Sequence, residues 1–577
     1  MRWIAASGVE KAFVGLAIGL LSLGACRGPL DAPLPAAHPL DETPRYGGTL
    51  HLASMADVAT LDPVTAGDHF TGSVLRLLYA GLVDVDASGR VVPDLASEID
   101  VSDDGLVYTF TLRDNVRFHD GSDVTSAEVK RSLERALAPS TPSPVASFFD
   151  SIEGFAAFSA KKDPHLSGIV AVGRSVLEIH LAQRDAAFLA MLSRSPLRIT
   201  CPSAGERYSA AWTPCGAGPF RLPKGGWERG RSLTIERNPD YFRPGVPYLD
   251  GVVWELGSTQ VGESFKFARG SLDLFSDLTV PDTVRYQNDP RWQPFGAYGS
   301  ASTIVQGDAL NTELAPFDNV EIRRAVAAAV DREHLVLLRA TNFAEQPKPV
   351  PPLAGYDPPG VGQKHDIAAA LAHMQKAGYA FDPATGRGGW PAPIAYHTYR
   401  GPEIAAQSIQ EDLAKIGLRI ELHVESIGTF RALSHRRHAV AISPQGWQSD
   451  FFDPSDFLEG RFASKSIDDE DGLNYSFYSN ATVDALIERA RREGDEGERM
   501  RLYAEVERIL CDEAPWAFEY SFRFYQVRQP YVRGYRVHAM WTTDVLPLWL
   551  DRTSETRALS EAPFTRELLG SLAGWAP

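Results

Sequence analysis

The residues best placed for chemistry in this chain form one stretch, Gly446-Trp447-Gln448-Ser449-Asp450-Phe451-Phe452-Asp453-Pro454. Within it a single carboxylate, Asp450, stands between Trp447 and the Phe451-Phe452 pair. Aromatic walls exclude water and offer cation–π faces while a charge supplies orientation, so the grouping suits an organic cation. A structural alternative fits the same residues, with Asp450 capping a turn and the aromatics serving as core. Other chemistries find less support. The chain holds 14 histidines, yet it has no Gly-x-Ser-x-Gly elbow, no His-Glu-x-x-His and no Gly-x-x-x-x-Gly-Lys-Ser/Thr loop. Neither Cys-x-x-Cys nor His-x-x-x-His spacing suggests a structural metal. His119-Asp120 reads as a surface turn. Gly216-Ala217-Gly218 is followed by Pro219 and Phe220 where a dinucleotide fingerprint needs a helix, so its glycines are assigned to a tight turn.

The elements that position these residues can be sketched from pattern. Ala439-Val440-Ala441-Ile442 reads as a short buried strand that ends in the Asp450 loop, and Asp453-Pro454 is expected to stop a helix from starting at once. Gly47 to Ala53 reads as an opening strand, closed by the turn Thr60-Leu61-Asp62-Pro63. Leu106, Tyr108, Phe110 and Leu112 alternate with Val107, Thr109, Thr111 and Arg113, predicting a strand with one strongly apolar face, and Leu177 to Leu181 alternates as another strand. Thr125-Ser126-Ala127-Glu128 is a capping box ahead of a stripe formed by Val129, Leu133, Ala136 and Leu137. Asp318 is expected to cap a helix whose inward face is Ile322, Val326 and Val330. Pro347 to Pro352 reads as a rigid surface crossing. Further helices are expected at Asp366–Ala377, Thr482–Arg492 and Arg499–Cys511, and a strand at Ile420–Val424.

A chain of 577 residues, 44% apolar and 10% aromatic, exceeds one core and supplies two or three packed units. Its net charge of −17 argues against nucleic-acid binding. Basic Arg2 and Lys11 precede an apolar run from Ala12 to Leu23 that is too short to span a bilayer, the pattern of a signal peptide. Leu23-Gly24-Ala25-Cys26 resembles a bacterial lipobox, which makes Cys26 the expected site of a lipid anchor. Prolines 29, 33, 35, 39 and 44 make the next stretch an extended tether. Export allows disulfides, and Cys201 with Cys215 close a short loop, leaving Cys511 free and buried.

Several motifs are familiar as a series. Trp447-Gln448-Ser449-Asp450-Phe451-Phe452-Asp453-Pro454, Thr60-Leu61-Asp62-Pro63, Pro93-Asp94-Leu95-Ala96, Asp104-Gly105-Leu106, Phe118-His119-Asp120-Gly121, Gly216-Ala217-Gly218-Pro219-Phe220, Asn238-Pro239-Asp240-Tyr241-Phe242 and Pro316-Phe317-Asp318-Asn319 to Ala325 follow in order. In that order and spacing the chain resembles the extracellular solute-binding proteins of peptide and nickel ABC importers, from about Tyr46 to about Leu550.

The resemblance implies an α/β, periplasmic-binding-protein-like fold of type II, cluster C, with two lobes, a hinge and an extra domain inserted in the first lobe. The organisation expected is a signal peptide at 1–25 and the lipidated cysteine and tether at 26–45. Lobe I then takes 46–82, 196–300 and 516–555, the inserted domain 83–195, lobe II 301–515, and a C-terminal tail 556–577. It implies capture of oligopeptides, or a related small solute, between lobes, and delivery to a membrane permease served by separate ATPase subunits. The resemblance places Asp450 against a ligand's α-ammonium group, with Trp447, Gly446, Gln448, Phe451, Asp68, His69, Phe70 and Phe148 completing the ligand set. Neither cofactor nor catalysis is implied, and the protein is expected to be a monomer anchored to a bacterial membrane. Arg436 and Arg437 are candidates for a carboxylate partner. A ligand-sensing receptor of the same fold and an exported hydrolase are the rival readings.

Overall fold

The computed structural model describes residues 43–205, 212–299, 304–338, 343–470, 472–541 and 543–553. The signal peptide, Cys26, nearly all of the tether and the tail at 556–577 lie outside them.

Lobe I is built on a sheet in which Thr49–Ser54 runs parallel to Gly251–Leu256, Thr49 opposite Gly251. Gly251–Leu256 pairs antiparallel with Ser232–Arg237, which also pairs with Phe220–Arg221 and Trp227–Glu228. Leu50, Leu52, Val252 and Trp254 are buried beneath the helix His69–Leu78, and Val545, Leu548 and Leu550 from the far end of the chain complete that core. The inserted domain is an antiparallel sheet in the order Ala96–Val101, Val107–Leu112, Val176–His180, Ile169–Val172. Its alternation is the one read from sequence: Tyr108, Phe110 and Leu112 face inward against Val129, Leu133 and Leu137 of the helix Ser126–Leu137. Thr125 caps that helix by accepting from the Glu128 amide.

Lobe II is a three-layer unit. Its six-stranded sheet runs Phe343–Glu345, Trp516–Phe522, Ile304–Leu310, Ile442–Gln448, Ile394–Tyr399, Ile420–Glu425. Helices Val320–Ala329, Ile367–Lys376 and Glu403–Ala414 cover one face over Ile322, Val326, Ile394 and Ile442. The other face carries Pro454–Phe462, Ala481–Arg492 and Glu496–Glu513 over Phe457, Val506, Trp516 and Phe518. Strand Trp516–Phe522 therefore belongs to lobe II, and the boundary expected at 515/516 moves to the crossing after Phe522. Beyond it, Tyr525–Arg528 pairs with Leu274–Phe275 and Gly296–Tyr298 in a small sheet of its own.

Four further expectations are corrected. The strand near the Asp450 loop is Ile442–Gln448, not 439–442; Ala439 and Val440 follow the left-handed residue His438 in a turn. Pro444 and Gly446 both disfavour a strand, but pairing with Ile304–Leu310 over the full length from Ile442 to Gln448 outweighs local propensity. Asp453-Pro454 starts a helix at once: Asp453 is the N-cap, accepting from the Ser455 amide at 3.0 Å, and Pro454 needs no amide hydrogen at the first helical position. The cap expected at Asp318 is Asn319, which accepts from the Glu321 amide at 2.9 Å. The Pro347–Pro352 crossing is largely buried, with Val350 donating its amide to Glu507 at 2.9 Å.

Gly216 and Gly218 have another use than the turn expected. A Cβ on Gly218 would sit 2.4 Å from the carbonyl carbon of Leu78, and one on Gly216 would meet Tyr79 at the same distance, so close passage of the 77–79 backbone requires both glycines. His119 clamps this turn, accepting from the Gly216 amide and donating to the Gly218 carbonyl at 3.2 Å. Cys201 and Cys215 beside it are disulfide-bonded, with Cα atoms 5.4 Å apart. Cys511 is free and half-buried, its thiol pushed up to about 12 by burial.

Candidate functional site

Strand Ile442–Gln448 ends at the face where lobe II meets lobe I. Asp456, in the first turn of the following helix, organises the residues beyond it. One oxygen, Oδ2, accepts from Trp447 Nε1 at 3.2 Å and from the Asp450 amide at 2.8 Å. Burial, and then the neighbouring Asp450 charge, hold the Asp456 carboxyl well above the usual range. The Arg461 guanidinium lies 3.8 Å from the Trp447 ring centre and 4.8 Å from that of Tyr475, so the indole is fixed on one side before any ligand arrives.

Asp450 itself reaches across the junction. Its Oδ2 is 2.6 Å from Arg194 Nη2, the Asp450 side chain being 30% exposed and that of Arg194 only 8%. The guanidinium also lies over Phe148, 4.9 Å from the ring centre, and Phe148 meets Phe451 edge-on at 6.4 Å. Phe451, from lobe II, is buried in the inserted domain's core. On the other side of the junction His69 opens the helix His69–Leu78, whose N-cap is Asp68, accepting from the Thr71 amide at 2.8 Å. His69 Nε2 meets the Ser449 carbonyl at 3.1 Å, which makes it the donor. Burial pushes the His69 pKa down against the opposing pull of Asp450, so the imidazole is neutral at pH 7.

A cavity of about 50 Å³ lies at this point, lined by residues that include Asp68, His69, Arg194, Ser195, Asp450 and Trp541. A second of about 50 Å³ shares His69 and Trp541 and adds Gln448, Phe524, Gln526 and His538. Gly446 stands where a Cβ would strike the Gln306 amide at 2.0 Å, and Gln306 lines a larger cavity of about 240 Å³ inside lobe II with Tyr396, Tyr399, Glu519 and Tyr520.

The structure thus brings Asp450, Asp68 and His69 to one cavity with Arg194, sets Phe148 under the Arg194 guanidinium, and leaves Gln448 in the neighbouring cavity. Phe70 does not join them. It lines a separate cavity of lobe I with Leu52, Met55, Val74 and Trp254. Arg437 is committed elsewhere, to Glu313 at 2.6 Å and Asp469 at 3.2 Å. Sequence reasoning missed Arg194, Asp456 and Trp541. Asp456 lies three residues after Asp453, the spacing that puts a carboxylate in the first turn of a helix, and that signal was readable. Among the described residues the one grouping with metal-ligand spacing is Asp120 with Cys201 and Cys215, whose sulfurs are already spent on the disulfide.

A second contact ties the lobes. Arg491 of lobe II donates to Asp185 at 2.8 Å and Asp150 at 3.0 Å, both in the inserted domain, while its carbonyl accepts from the Ala186 amide at 2.9 Å.

Two α/β lobes meeting over a small polar cavity, with charged residues contributed from both sides, define a solute-binding protein. Over residues 90–469 the chain matches the family described as bacterial extracellular solute-binding proteins, family 5 Middle. It belongs to that family. The glutathione-binding protein GsiB of Escherichia coli O6:K15:H31 (strain 536 / UPEC) is 26% identical over 474 residues, covering 80% of this chain and 86% of that protein. The protein of the same name from Salmonella typhi shows the same identity and coverage, 26%, 80% and 86%. Among solved structures, the clavulanic acid biosynthesis oligopeptide binding protein 2 has a TM-score of 0.77 at 23% identity, covering 88% of this chain and 96% of that one. The periplasmic binding protein DppA from Helicobacter pylori, in complex with the peptide STSA, has a TM-score of 0.71 at 23% identity, with 88% and 99% covered. These structures share the fold found here.

Proposed function

We propose that this protein captures short peptides between its lobes and hands them to the permease of an ABC importer, whose ATPase subunits are separate chains. The observation that carries the reading is Asp450: a carboxylate of lobe II, fixed through its backbone by Asp456, opens onto a cavity lined by the first lobe. Relatives whose names record glutathione or oligopeptide binding support it. Asp450 takes the ammonium of the cargo, with Trp447 held beside it by Arg461 and His69 closing the far side. The protein binds and releases without altering its cargo. Ligand contacts from both lobes favour the shut form, and the shut form is what the permease recognises. Cys26 carries the lipid that keeps the protein at the membrane.

Calorimetry of the mature chain with short peptides and their N-acetylated counterparts tests the reading. Wild type is expected to bind free amino termini and to reject the acetylated forms. Asp450→Asn keeps the shape and removes the charge, and is expected to lose about 3–5 kcal/mol with the free peptide, an estimate for breaking a desolvated ion pair. Equal wild-type affinity for both forms would return Asp450 to a purely structural role.

A further inference from the structure

Lobe I holds a cavity of its own, of about 230 Å³, across the helix His69–Leu78 from the cavity between the lobes. His69 and Gly72 line the latter, whereas Phe70, Ser73, Val74 and Leu77, at helical spacing, line the former. Leu52 and Trp254, opposite each other in the lobe I sheet, add to its walls with Leu274 and Val545, and all four are buried. A void of about 150 Å³ within apolar walls admits benzene, so this one has room for a single ring or a short carbon chain. One charge faces the space. Asp277 is the only titratable side chain among the described residues that line it. It is half-buried and has neither a hydrogen bond nor an ion pair with any described residue, so burial, unopposed, pushes its carboxyl above the usual range. Nor does it cap the helix that follows: Thr279 does so, accepting from the Asp282 amide at 3.2 Å.

A carboxylate with no structural task, standing at the edge of an apolar space, matches one ligand chemistry. We propose that lobe I binds a small hydrophobic amine, its ring or chain in this cavity and its ammonium on Asp277, at a site separate from the opening where Asp450 stands. Each half of such a ligand is used. The body buries its apolar surface against Leu52, Val74, Trp254 and Val545, a gain proportional to the area removed from water. The ammonium supplies the partner that Asp277 otherwise lacks, and a pair formed at the margin of apolar walls is screened less than one in open water. A neutral alcohol of the same shape offers Asp277 an ordinary hydrogen bond in place of a charge-assisted one. An anion of the same shape meets a like charge. The site stands on lobe I residues alone and does not depend on what the opening between the lobes takes.

The test is calorimetry of the mature chain with three probes of similar shape: phenylethylamine, phenylethanol and phenylpropionate. Wild type is expected to bind the amine about tenfold to a hundredfold more tightly than the alcohol, the range for a hydrogen bond to a charged group, and to reject the anion. Asp277→Asn keeps the shape and is expected to bring the amine down to the affinity of the alcohol while leaving the alcohol unchanged. Thermal unfolding of that variant is expected at or above the wild-type temperature, because the change removes a half-buried charge that has no partner. Equal wild-type binding of amine and alcohol, or no binding of the amine, would overturn the inference whatever the variant does. An amine weakened by Asp450→Asn and untouched by Asp277→Asn would be lying between the lobes, which also overturns it and leaves the peptide reading standing. Loss of peptide binding in wild type would overturn that reading alone.

Discussion

At the scale of single residues, the site divides into what a sequence can announce and what it cannot. Asp450 announces itself through Trp447 and Phe451-Phe452, because all are neighbours in one loop. Arg194 gives no such sign. It follows Ser193 and precedes Ser195-Pro196 in a stretch without pattern, and its role exists only because the inserted domain delivers it to Asp450 from the opposite lobe. Phe70 fails for the opposite reason: it is close in sequence to His69, but one step along a helix turns it into a different cavity. The glycines of Gly216-Ala217-Gly218 were legible as obligatory, though the cause is close packing and not a turn. Gly218→Ala would force a Cβ against the Leu77–Leu78 backbone, which has no freedom to yield. The expected cost is about 2–4 kcal/mol, read as a lower urea midpoint for the disulfide-intact protein, an overpacking effect. An unchanged midpoint would mean that the 77–79 segment is softer than it looks.

At the scale of elements, most helices and strands follow from periodicity, and the misses cluster where competing rules meet. The apolar run 439–442 mimics a strand, while the true strand Ile442–Gln448 contains proline and glycine and is recognisable only from its partner Ile304–Leu310. Asp453-Pro454 carries two opposed meanings, a breaker behind it and an ideal cap in front. His119 adds a pH dependence to the turn it clamps. Burial, as the leading cause, lowers its pKa to about 4, and His538, which accepts from the Met540 and Trp541 amides, is likewise lowered to about 4. A histidine whose folded pKa lies below its unfolded value of about 6.5 makes the unfolded chain the better proton binder. Stability is then complete above about pH 6.5 and falls progressively as pH drops toward 4, by on the order of 2 kcal/mol per histidine at pH 5. Urea unfolding at pH 7.5 and pH 5 measures this, and His119→Gln is expected to flatten the difference. Burial pushes Glu263, Asp308 and Glu507 up to about 7, which works in the opposite sense over the same range, so the comparison of wild type with His119→Gln decides: an identical pH dependence in the two proteins would show that His119 does not resist protonation.

At the scale of the whole molecule, the two-lobed design was legible from the ordered motifs, but the path of the chain between lobes was not. Trp516–Phe522 reads as an ordinary apolar strand, and nothing local says which sheet it enters; only pairing with Ile304–Leu310 and Phe343–Glu345 decides it. The proposed anchor at Cys26 belongs to this scale too. Cys26→Ser is expected to move the protein from the membrane fraction to the soluble fraction of bacteria that express it, and retention in the membrane fraction would point to another attachment. The position of Trp516–Phe522 has a further consequence, for the order of synthesis. It lies second in the lobe II sheet, and lobe I waits longer still, since Leu50 and Leu52 pack with Val545, Leu548 and Leu550, and Arg76 pairs with Asp544 at 3.0 Å. Neither lobe can complete its core until most of the chain has been made. The two lobe cores thus close late, lobe II only after Phe522 and lobe I only after Leu550, while the inserted domain between them has nearly all of its core from one continuous stretch.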